Sequence, residues 1–473
     1  MKFDFDLIVI GAGSGGLVVA SGAAALGAKV ALIESDKMGG DCLNSGCVPS
    51  KTFLKSAHLA KTIKDSSSFG ITTTIEDISM KKIMNRVHSV IDSIAPHDSK
   101  ERYEGLGVKV ISGKGVLVDS HHVKVNEELL STKTIVISTG SQPFVPEIKG
   151  LDQIDYLTNR NVFDLTDSPD HLIVLGGGPI GLELGQGFKN LGSKVTIIDH
   201  NSSLFNKDEP EVGPIMEKVL KEDGVKLELS SNIIEVSKNN GLITVTIQND
   251  GVQKQIVGDQ LLVSLGRAPS TNGLGLEKLG IELSSRGYII TDNQLRTNIK
   301  NIYACGDVTG PYQFTHMAGY QAGIVIRNSI FHLRAKLDYT AVPWTTYTSP
   351  EVAHVGHTEA SAKKSAQFKK SLIVPLIGND RAKAENDSIG FLKLIIGTKG
   401  KLIGATLVGD KAGEMIPVAS LAIKNKMKPN VFMGMIFSYP TESEIFKTAA
   451  LSDLKDSVKP WQLNLIKKIF LRR

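Results

Sequence analysis

Residues 6–34 read DLIVIGAGSGGLVVASGAAALGAKVALIE. A short apolar run precedes the glycine-rich segment at residues 11–16, and an alanine-rich stretch then leads to a second apolar run that ends in an acid. This order predicts a strand, a glycine turn, a helix and a second strand, the unit that binds a dinucleotide. The glycines let the backbone close on a pyrophosphate at the helix N-terminus, and the acid accepts hydrogen bonds from a ribose. The expected cofactor-binding residues are Gly11, Gly13, Gly16 and Glu34.

A second copy of the pattern follows at residues 172–199, LIVLGGGPIGLELGQGFKNLGSKVTIID. In both copies the acid lies eighteen residues after the last glycine of the motif, from 16 to 34 and from 181 to 199. Two such units predict two bound dinucleotides, a flavin on the first and a nicotinamide on the second. The expected residues of the second site are Gly176, Gly178, Ile180, Gly181 and Asp199. We expect NADH to be preferred over NADPH, because Asp199 repels a 2′-phosphate and residues 200–203 supply no arginine.

Residues 39–51 read GGDCLNSGCVPSK and hold two of the three cysteines, Cys42 and Cys47. On a straight helix their Cα atoms lie too far apart for a disulfide, so pairing requires a local bend, which Gly46 and Pro49 can supply. The alternatives are half of a zinc site or two buried thiols. A structural zinc needs four ligands, and Cys305, which we interpret as structural, is the only other cysteine. The pattern therefore favours a redox pair without a metal site.

The chain has 473 residues and a formal charge of +5, with the composition of an ordinary globular protein and length for about three domains. Three cysteines do not make a secreted disulfide framework, and no signal peptide opens the sequence, so we expect a cytoplasmic protein. No apolar run is long enough to span a membrane. The charge is too mild to indicate a nucleic-acid partner.

Taken together, the glycine motifs, GGxC-x4-CxPSK, Ser138–Gly140, Gly266–Arg267 and Ala304–Asp307 resemble the flavoprotein disulfide reductases, the family of dihydrolipoamide dehydrogenase, glutathione reductase and mercuric reductase. The resemblance covers nearly the whole chain. It implies an α/β fold with two Rossmann-like dinucleotide-binding domains and an α+β C-terminal dimerisation domain. It also implies FAD, NAD(P)H and a homodimer. The implied boundaries are 1–146 for the first part of the FAD domain, 147–266 for the NAD(P)H domain, 267–340 for the second FAD part, 341–455 for dimerisation and 456–473 for a basic, apolar tail.

By the same resemblance, Cys47 lies against the flavin and Cys42 faces the substrate. Lys51 approaches flavin N5 and pairs with Glu183, and a thiolate at a helix start beside a cation has a lowered pKa. The segments of the family that contact cofactor imply further binding residues here, which are Gly40, Asp41, Gly115, Thr139, Gly140, Ser141, Gly266, Asp307 and His316.

The chain departs from the family near its C-terminus. Disulfide-reducing members carry His-Pro-Thr-x-x-Glu, in which the histidine is the acid–base group; here residues 439–444 read YPTESE. We expect Tyr439 to occupy the histidine's place beside the partner's cysteine pair, held by Glu444, and to act by positioning or hydrogen bonding. A phenol ionises only at about pH 10 and is a poor base at neutral pH. His97 and His316 are the candidate replacement bases.

These features predict an oxidoreductase that passes electrons from NAD(P)H through FAD to Cys42–Cys47 and on to a metal ion such as Hg(II) or Cu(II), or to a disulfide. Mercuric reductase uses a further C-terminal cysteine pair, which is missing because no cysteine follows Cys305. The alternatives are dihydrolipoamide dehydrogenase, an NADH oxidase or quinone reductase with vestigial thiols, and a non-enzymatic cofactor-binding protein. The tail at residues 459–473 predicts either packing on the dimer, which we favour, or weak contact with an anionic membrane surface.

Overall fold

The apolar runs and glycine turns of the sequence form alternating strands and helices in a computed structural model, which describes residues 2–471. The strands are β1 (Phe5–Ile10), β2 (Val30–Glu34), β3 (Lys109–Ser112), β4 (Gly115–Leu117), β5 (His122–Val125), β6 (Glu128–Ile137), β7 (Ser141–Pro143), β8 (His171–Leu175), β9 (Lys194–Ile198), β10 (Lys226–Glu228), β11 (Asn232–Asn239), β12 (Leu242–Asn249), β13 (Val252–Gly258), β14 (Gln260–Val263), β15 (Arg267–Pro269), β16 (Ile302–Ala304), β17 (Pro343–Thr346), β18 (Glu351–Gly356), β19 (Phe368–Pro375), β20 (Phe391–Gly397) and β21 (Leu402–Gly409). The helices are α1 (Ser14–Ala25), α2 (Gly40–Asn44), α3 (Cys47–Lys64), α4 (Met80–Ile94), α5 (Lys100–Gly105), α6 (Pro179–Asn190), α7 (Val212–Glu222), α8 (Thr315–Ile330), α9 (Glu359–Lys364), α10 (Asp380–Ala384), α11 (Ala412–Lys424), α12 (Val431–Gly434), α13 (Ile445–Ser457) and α14 (Pro460–Phe470).

The elements group into two units. The first contains the chain up to His200 together with Asp223–Leu337, and the second contains Asn201–Glu222 together with the chain from Asp338. Residues 201–222 lie inside the predicted 147–266 domain but group with the second unit. The predicted domain boundaries stay predictions. No helix within residues 2–471 is long and apolar enough to cross a membrane.

The first unit is built on two sheets with parallel central strands, and the larger of them also carries the antiparallel strands β5 and β4 beside β6. In one, β3, β2, β1, β6 and β16 lie side by side, and Ile8 of β1 pairs with Ala31 of β2 and Ile135 of β6. In the other, the order is β10-β9-β8-β14. Each central strand is apolar on both faces because both faces are covered, as is usual for parallel sheets. Gly11, Gly176 and Asp199 are among the predicted cofactor residues that come directly after these strands, so they lie at the carboxyl edges, where ligands of α/β sheets bind.

The second unit contains an antiparallel sheet in the order β17-β18-β21-β20-β19. The inner faces of its strands share an apolar core with α11 and α13, in which Leu407, Ile416 and Phe446 are buried. The segment at residues 201–222 joins this unit through a smaller core in which Met216 of α7 meets Phe391 of β20. The predicted fold class, two dinucleotide-binding folds and a C-terminal α+β part, is confirmed.

Candidate active site

The redox segment is broken into two helices by a bend at Ser45 and Gly46. Helix α2 ends at Asn44 and α3 begins at Cys47, so the predicted bend is present. A side chain at Gly46 would come within 2.8 Å of the Asp41 carbonyl oxygen, so this tight turn requires glycine. The bend brings Cys42 and Cys47 close enough for each thiol to shift the acidity of the other, and both are free thiols in the structure.

The two thiols have opposite acidities. The hydrogen bond from Cys42, aided by the Thr315 hydroxyl and the charge of Lys51, lowers the pKa of Cys47 to about 6. Donating that bond, together with burial, raises the pKa of Cys42 well above its usual value. The Thr315 oxygen lies 3.3 Å from the Cys47 sulfur. At neutral pH the pair is therefore a Cys47 thiolate beside a Cys42 thiol, the charge state that a flavin-facing thiolate needs.

Lys51 and Glu183 meet because α3 packs closely on α6. The rings of Phe53 and Phe188 lie 4.8 Å apart, and a side chain at Gly187 would come within 2.5 Å of the Phe53 ring. This contact places the Lys51 ammonium nitrogen 2.8 Å from a Glu183 carboxylate oxygen. The structure thus brings together the two residues that were expected to pair, one turn along α3 from Cys47.

A second set of polar contacts fixes the loop between the cysteines. Asp41 accepts a hydrogen bond from the Ser45 hydroxyl at 2.7 Å and contacts the Arg267 guanidinium at 2.8 Å. The buried amide of Asn159 donates to Asp41 at 3.2 Å and to the Ser45 carbonyl at 3.0 Å. Arg267 also donates to the Ser141 hydroxyl at 2.7 Å. Asn159 and Arg267 therefore hold the loop that joins the two cysteines.

The Ser141 hydroxyl in turn donates to Asp307 at 2.6 Å. Burial raises the pKa of Asp307, so a hydrogen-bond donor from a ligand would stabilise its carboxylate. This carboxylate follows β16 at the same sheet edge as the first glycine motif. Its position fits a hydroxyl group of FAD.

The two glycine motifs have the same geometry. Gly11 and Gly176 adopt φ of 103° and 104°, and a side chain at either would come within 2.3 and 2.5 Å of the carbonyls of Ser138 and Ser264. Added side chains at Gly16 and Gly181 would meet the carbonyls of Gly11 and Gly176 at 1.8 and 2.0 Å. Each motif is thus a backbone cradle that only glycine can form, which fits the pyrophosphates of FAD and NAD(P)H.

The two acids occupy matching positions. Glu34 accepts the backbone N–H of Ala12 at 2.5 Å, and Asp199 accepts that of Gly177 at 2.6 Å. Each carboxylate therefore lies across the mouth of its cradle, where a ribose hydroxyl can also reach it. This is the placement expected from the eighteen-residue spacing.

Several other predicted residues lie near the same edge. Gly40 approaches Gly13, since a side chain at Gly40 would meet the Gly13 Cα at 2.7 Å. The Thr139 hydroxyl donates to the Ser270 carbonyl at 2.7 Å, and Gly140 and Gly266 have positive φ. Gly115 begins β4 and packs against side chains at the ends of β1 and β2.

Gly13 and Gly16 of the first motif lie at the start of α1. Gly178 and Ile180 of the second motif lie at the start of α6. His316 is exposed beside Thr315 and stacks on Phe314 at 5.2 Å, whereas His97 is exposed in a 3-10 turn after α4.

In the second unit, Tyr439 has a different partner from the one predicted. The residue is 72% exposed, and its hydroxyl donates to Asp380 at 3.3 Å rather than to Glu444. Glu444 instead turns back to the backbone N–H of Thr441, because it completes the capping box of the turn at residues 442–444. The prediction that Glu444 holds Tyr439 is therefore wrong, because within the described residues each of them has a different partner.

Sequence reasoning missed four residues that shape the site. These are Ser14, which acts to lower the pKa of Cys42, and Thr315, Asn159 and Arg267. Arg267 follows Gly266 in one of the family-like segments, and Thr315 precedes His316 at a helix start, so the sequence carries a weak signal for both. Asn159 had none, because it comes from a loop more than a hundred positions away from Asp41.

Known protein families match this chain in both of its units. The pyridine nucleotide-disulphide oxidoreductase profile matches residues 5–322, and the dimerisation-domain profile of the same family matches residues 342–450. The chain is 34% identical to a mercuric reductase of Bacillus cereus over 459 residues, 97% of this chain and 73% of that protein. It is 35% identical to the dihydrolipoyl dehydrogenase of Bacillus subtilis (strain 168) over 453 residues, 94% of this chain and 95% of that protein.

Solved structures of flavoprotein reductases also match this chain over nearly its whole length. LpdA from Mycobacterium tuberculosis matches with a TM-score of 0.87 at 28% identity, covering 94% of this chain and 99% of its own. A Cu(II) complex of the HOCl-induced flavoprotein disulfide reductase RclA from Escherichia coli matches with a TM-score of 0.85 at 28% identity, covering 96% and 100%. Because the matches run through both units and cover most of the chain, this chain belongs to the pyridine nucleotide-disulphide oxidoreductases, homodimeric enzymes that use FAD and NAD(P)H.

Proposed function

We propose that this enzyme takes electrons from NADH through FAD to the Cys42–Cys47 disulfide and delivers them to a thiophilic metal ion, Hg(II) or Cu(II). The observation that carries the proposal is the side chain at position 439. Tyr439 is hydrogen-bonded to Asp380, and it takes the first place of a sequence motif in which the disulfide-reducing members of the family have a histidine. An acceptor whose reduction needs no acid–base residue suits this site better than lipoamide or glutathione disulfide does.

When bound, FAD supplies the two-electron relay between NADH and the disulfide. One NADH then converts the disulfide to the Cys42 thiol and the Cys47 thiolate, with the hydride's proton retained on Cys42. Delivery to Hg(II) re-forms the S–S bond and releases that proton and Hg(0); delivery to Cu(II) uses two ions and yields two Cu(I). Both routes balance two electrons and one proton per turnover.

The residues of the pair suit a soft metal ion. Thiolates are the preferred ligands of such ions, and the low pKa of Cys47 keeps one thiolate available at neutral pH. Lys51 stabilises that negative charge, and Glu183 fixes the position of Lys51. Relatives named mercuric reductase, and the Cu(II) complex of a flavoprotein disulfide reductase, support the same class of acceptor.

NADH is the proposed coenzyme because of Asp199. Asp199 directly follows β9, and its carboxylate faces the second glycine cradle, where it favours a ribose 2′-OH and repels a 2′-phosphate. The residues that follow, 200–203, contain no arginine that could bind the phosphate. We expect kcat/KM for NADH to exceed that for NADPH by about tenfold or more, and a preference for NADPH would contradict this assignment.

The acceptor is tested by anaerobic NADH oxidation with Hg(II), Cu(II), lipoamide, glutathione disulfide, quinones and, separately, oxygen. We expect turnover with one of the metal ions and its loss in Cys42→Ser. Cys305→Ala is the matched control, because this buried thiol lies outside the pair.

Two results would count against the proposal. Turnover with lipoamide as the best acceptor would identify a dihydrolipoamide dehydrogenase. Quinone or oxygen reduction that survives Cys42→Ser would show that the thiols are vestigial.

A further inference from the structure

Helix α14 presents an apolar surface to solvent. None of its residues is buried, and Trp461, Ile469 and Phe470 are 60%, 54% and 76% exposed. An apolar helix face of this kind marks an interaction site. The dimerisation profile ends at residue 450, so α14 lies beyond the part of the chain that matches the family's dimer-forming domain.

The apolar side chains share one side of the helix. Trp461, Leu465 and Ile469 follow one another at four-residue steps, and Leu463, Ile466 and Phe470 form the adjoining row. Gln462 falls between the rows near the start of the helix, where its side chain accepts the Lys459 backbone N–H at 2.8 Å. The apolar side therefore continues along the rest of α14.

The polar side is basic. Lys467 and Lys468 border the two rows of apolar side chains, and the sequence continues with Arg472 and Arg473, which lie outside the described residues. No aspartate or glutamate occurs after Asp456. In a two-fold dimer, two such helices placed against each other would bring like charges together. The charge complement of this surface is anionic.

We propose that α14 binds the surface of a membrane rich in anionic lipids, with its apolar rows at the level of the headgroups and its lysines beside the phosphates. Trp461 suits that depth, because an indole has an apolar ring and a polar N–H. The contact is peripheral, and it does not depend on which electron acceptor the enzyme uses. It would hold the oxidoreductase at a membrane surface.

The test uses the full-length holoenzyme and sedimentation with two kinds of vesicle, phosphatidylglycerol mixed with phosphatidylcholine, and phosphatidylcholine alone. We expect binding to the anionic vesicles that weakens with added salt. Lys467→Glu/Lys468→Glu should lower the partition coefficient about tenfold or more. The matched control is Lys399→Glu/Lys428→Glu, which reverses two exposed lysines elsewhere in the second unit and should bind as the wild type does.

Tryptophan fluorescence gives a second readout, since the chain has two tryptophans. A blue shift on anionic vesicles that disappears in Trp461→Phe would support insertion of α14. Equal recovery of the enzyme in the supernatant with both vesicle types would overturn the proposal. A Lys467→Glu/Lys468→Glu variant that dissociates into monomers would also overturn it, because α14 would then be a dimer contact.

Discussion

Single residues around Cys47 set the chemistry of the redox pair. Its thiolate is stabilised by the Cys42 thiol, the Thr315 hydroxyl and the Lys51 ammonium, each acting at close range. Cys42 has the opposite tendency because it donates to that thiolate. The two thiols therefore differ in acidity before any substrate binds, because these three groups lower the pKa of Cys47.

The charge state of Cys47 can be titrated in the two-electron-reduced holoenzyme. A thiolate against the flavin gives long-wavelength charge-transfer absorption, which should be full above pH 7 and fall away as the pH drops through about 6. Lys51→Met should raise the midpoint by about one unit or more, because a nearby cation favours the thiolate. Lys55→Met, an exposed lysine on the same helix, should leave it unchanged. A wild-type midpoint near that of an ordinary thiol would contradict this account.

Thr315 gives a sharper test of the same site. Thr315→Val removes the hydroxyl but keeps the branched shape, so the midpoint for Cys47 should rise by about one unit. Thr315→Ser retains a donor and should restore most of the wild-type value. If valine and serine behave alike, the hydroxyl has no part in stabilising the thiolate.

Tyr439 can be tested by restoring the family's base. Tyr439→His should introduce NADH-dependent lipoamide reduction, about a hundredfold above the wild type, because a positioned imidazole supplies acid–base catalysis. Tyr439→Phe serves as the control and should show no such gain. Failure of the histidine variant, in a protein that still binds FAD and forms dimers, would mean that the missing base is not what excludes lipoamide.

Secondary-structure elements position these residues through close packing. Helices α3 and α6 approach because Gly187 leaves room for Phe53, and the Lys51–Glu183 contact depends on that approach. In the second unit, the buried Lys393 of β20 contacts three carboxylates at 2.8 to 3.1 Å, those of Glu209, Glu211 and Glu359. Burial alone would lower the pKa of Lys393, but the hydrogen bonds to these carboxylates raise it above its usual value.

This buried cluster ties the segment at residues 201–222 to the antiparallel sheet, through Glu209 and Glu211. Lys393→Met leaves those carboxylates without their cation and should lower the free energy of unfolding by about 3 to 5 kcal/mol. Lys369→Met, at an exposed position on the neighbouring β19, should change it by no more than about 0.5 kcal/mol. Denaturant unfolding of both variants measures the difference, and equal stability would show that the cluster contributes nothing.

At the scale of the whole molecule, the dimer completes the site if Tyr439 serves the partner's thiols. Cys42→Ser homodimers should be inactive because they lack a redox thiol, and Tyr439→Asp homodimers should be nearly so because the added carboxylate would repel the partner's Cys47 thiolate. Random mixing by co-expression should restore about one quarter of the wild-type activity, because half of the dimers are mixed and each of these carries one intact site. No recovery, with mixed dimers demonstrated, would place Tyr439 at its own subunit's site or at none.

The sequence alone determined the two dinucleotide folds, the redox pair and the family, because these depend on local patterns: apolar strands, glycines at fixed spacing and an acid at a strand end. Only the tertiary structure decided which distant side chains act on those patterns. Thr315 reaches Cys47 and Asn159 reaches Asp41 from remote segments, and no periodicity records such contacts. Likewise, spacing predicts a place for Tyr439 but could not predict its hydrogen-bond partner, because Glu444 caps the turn and Asp380 comes from another element.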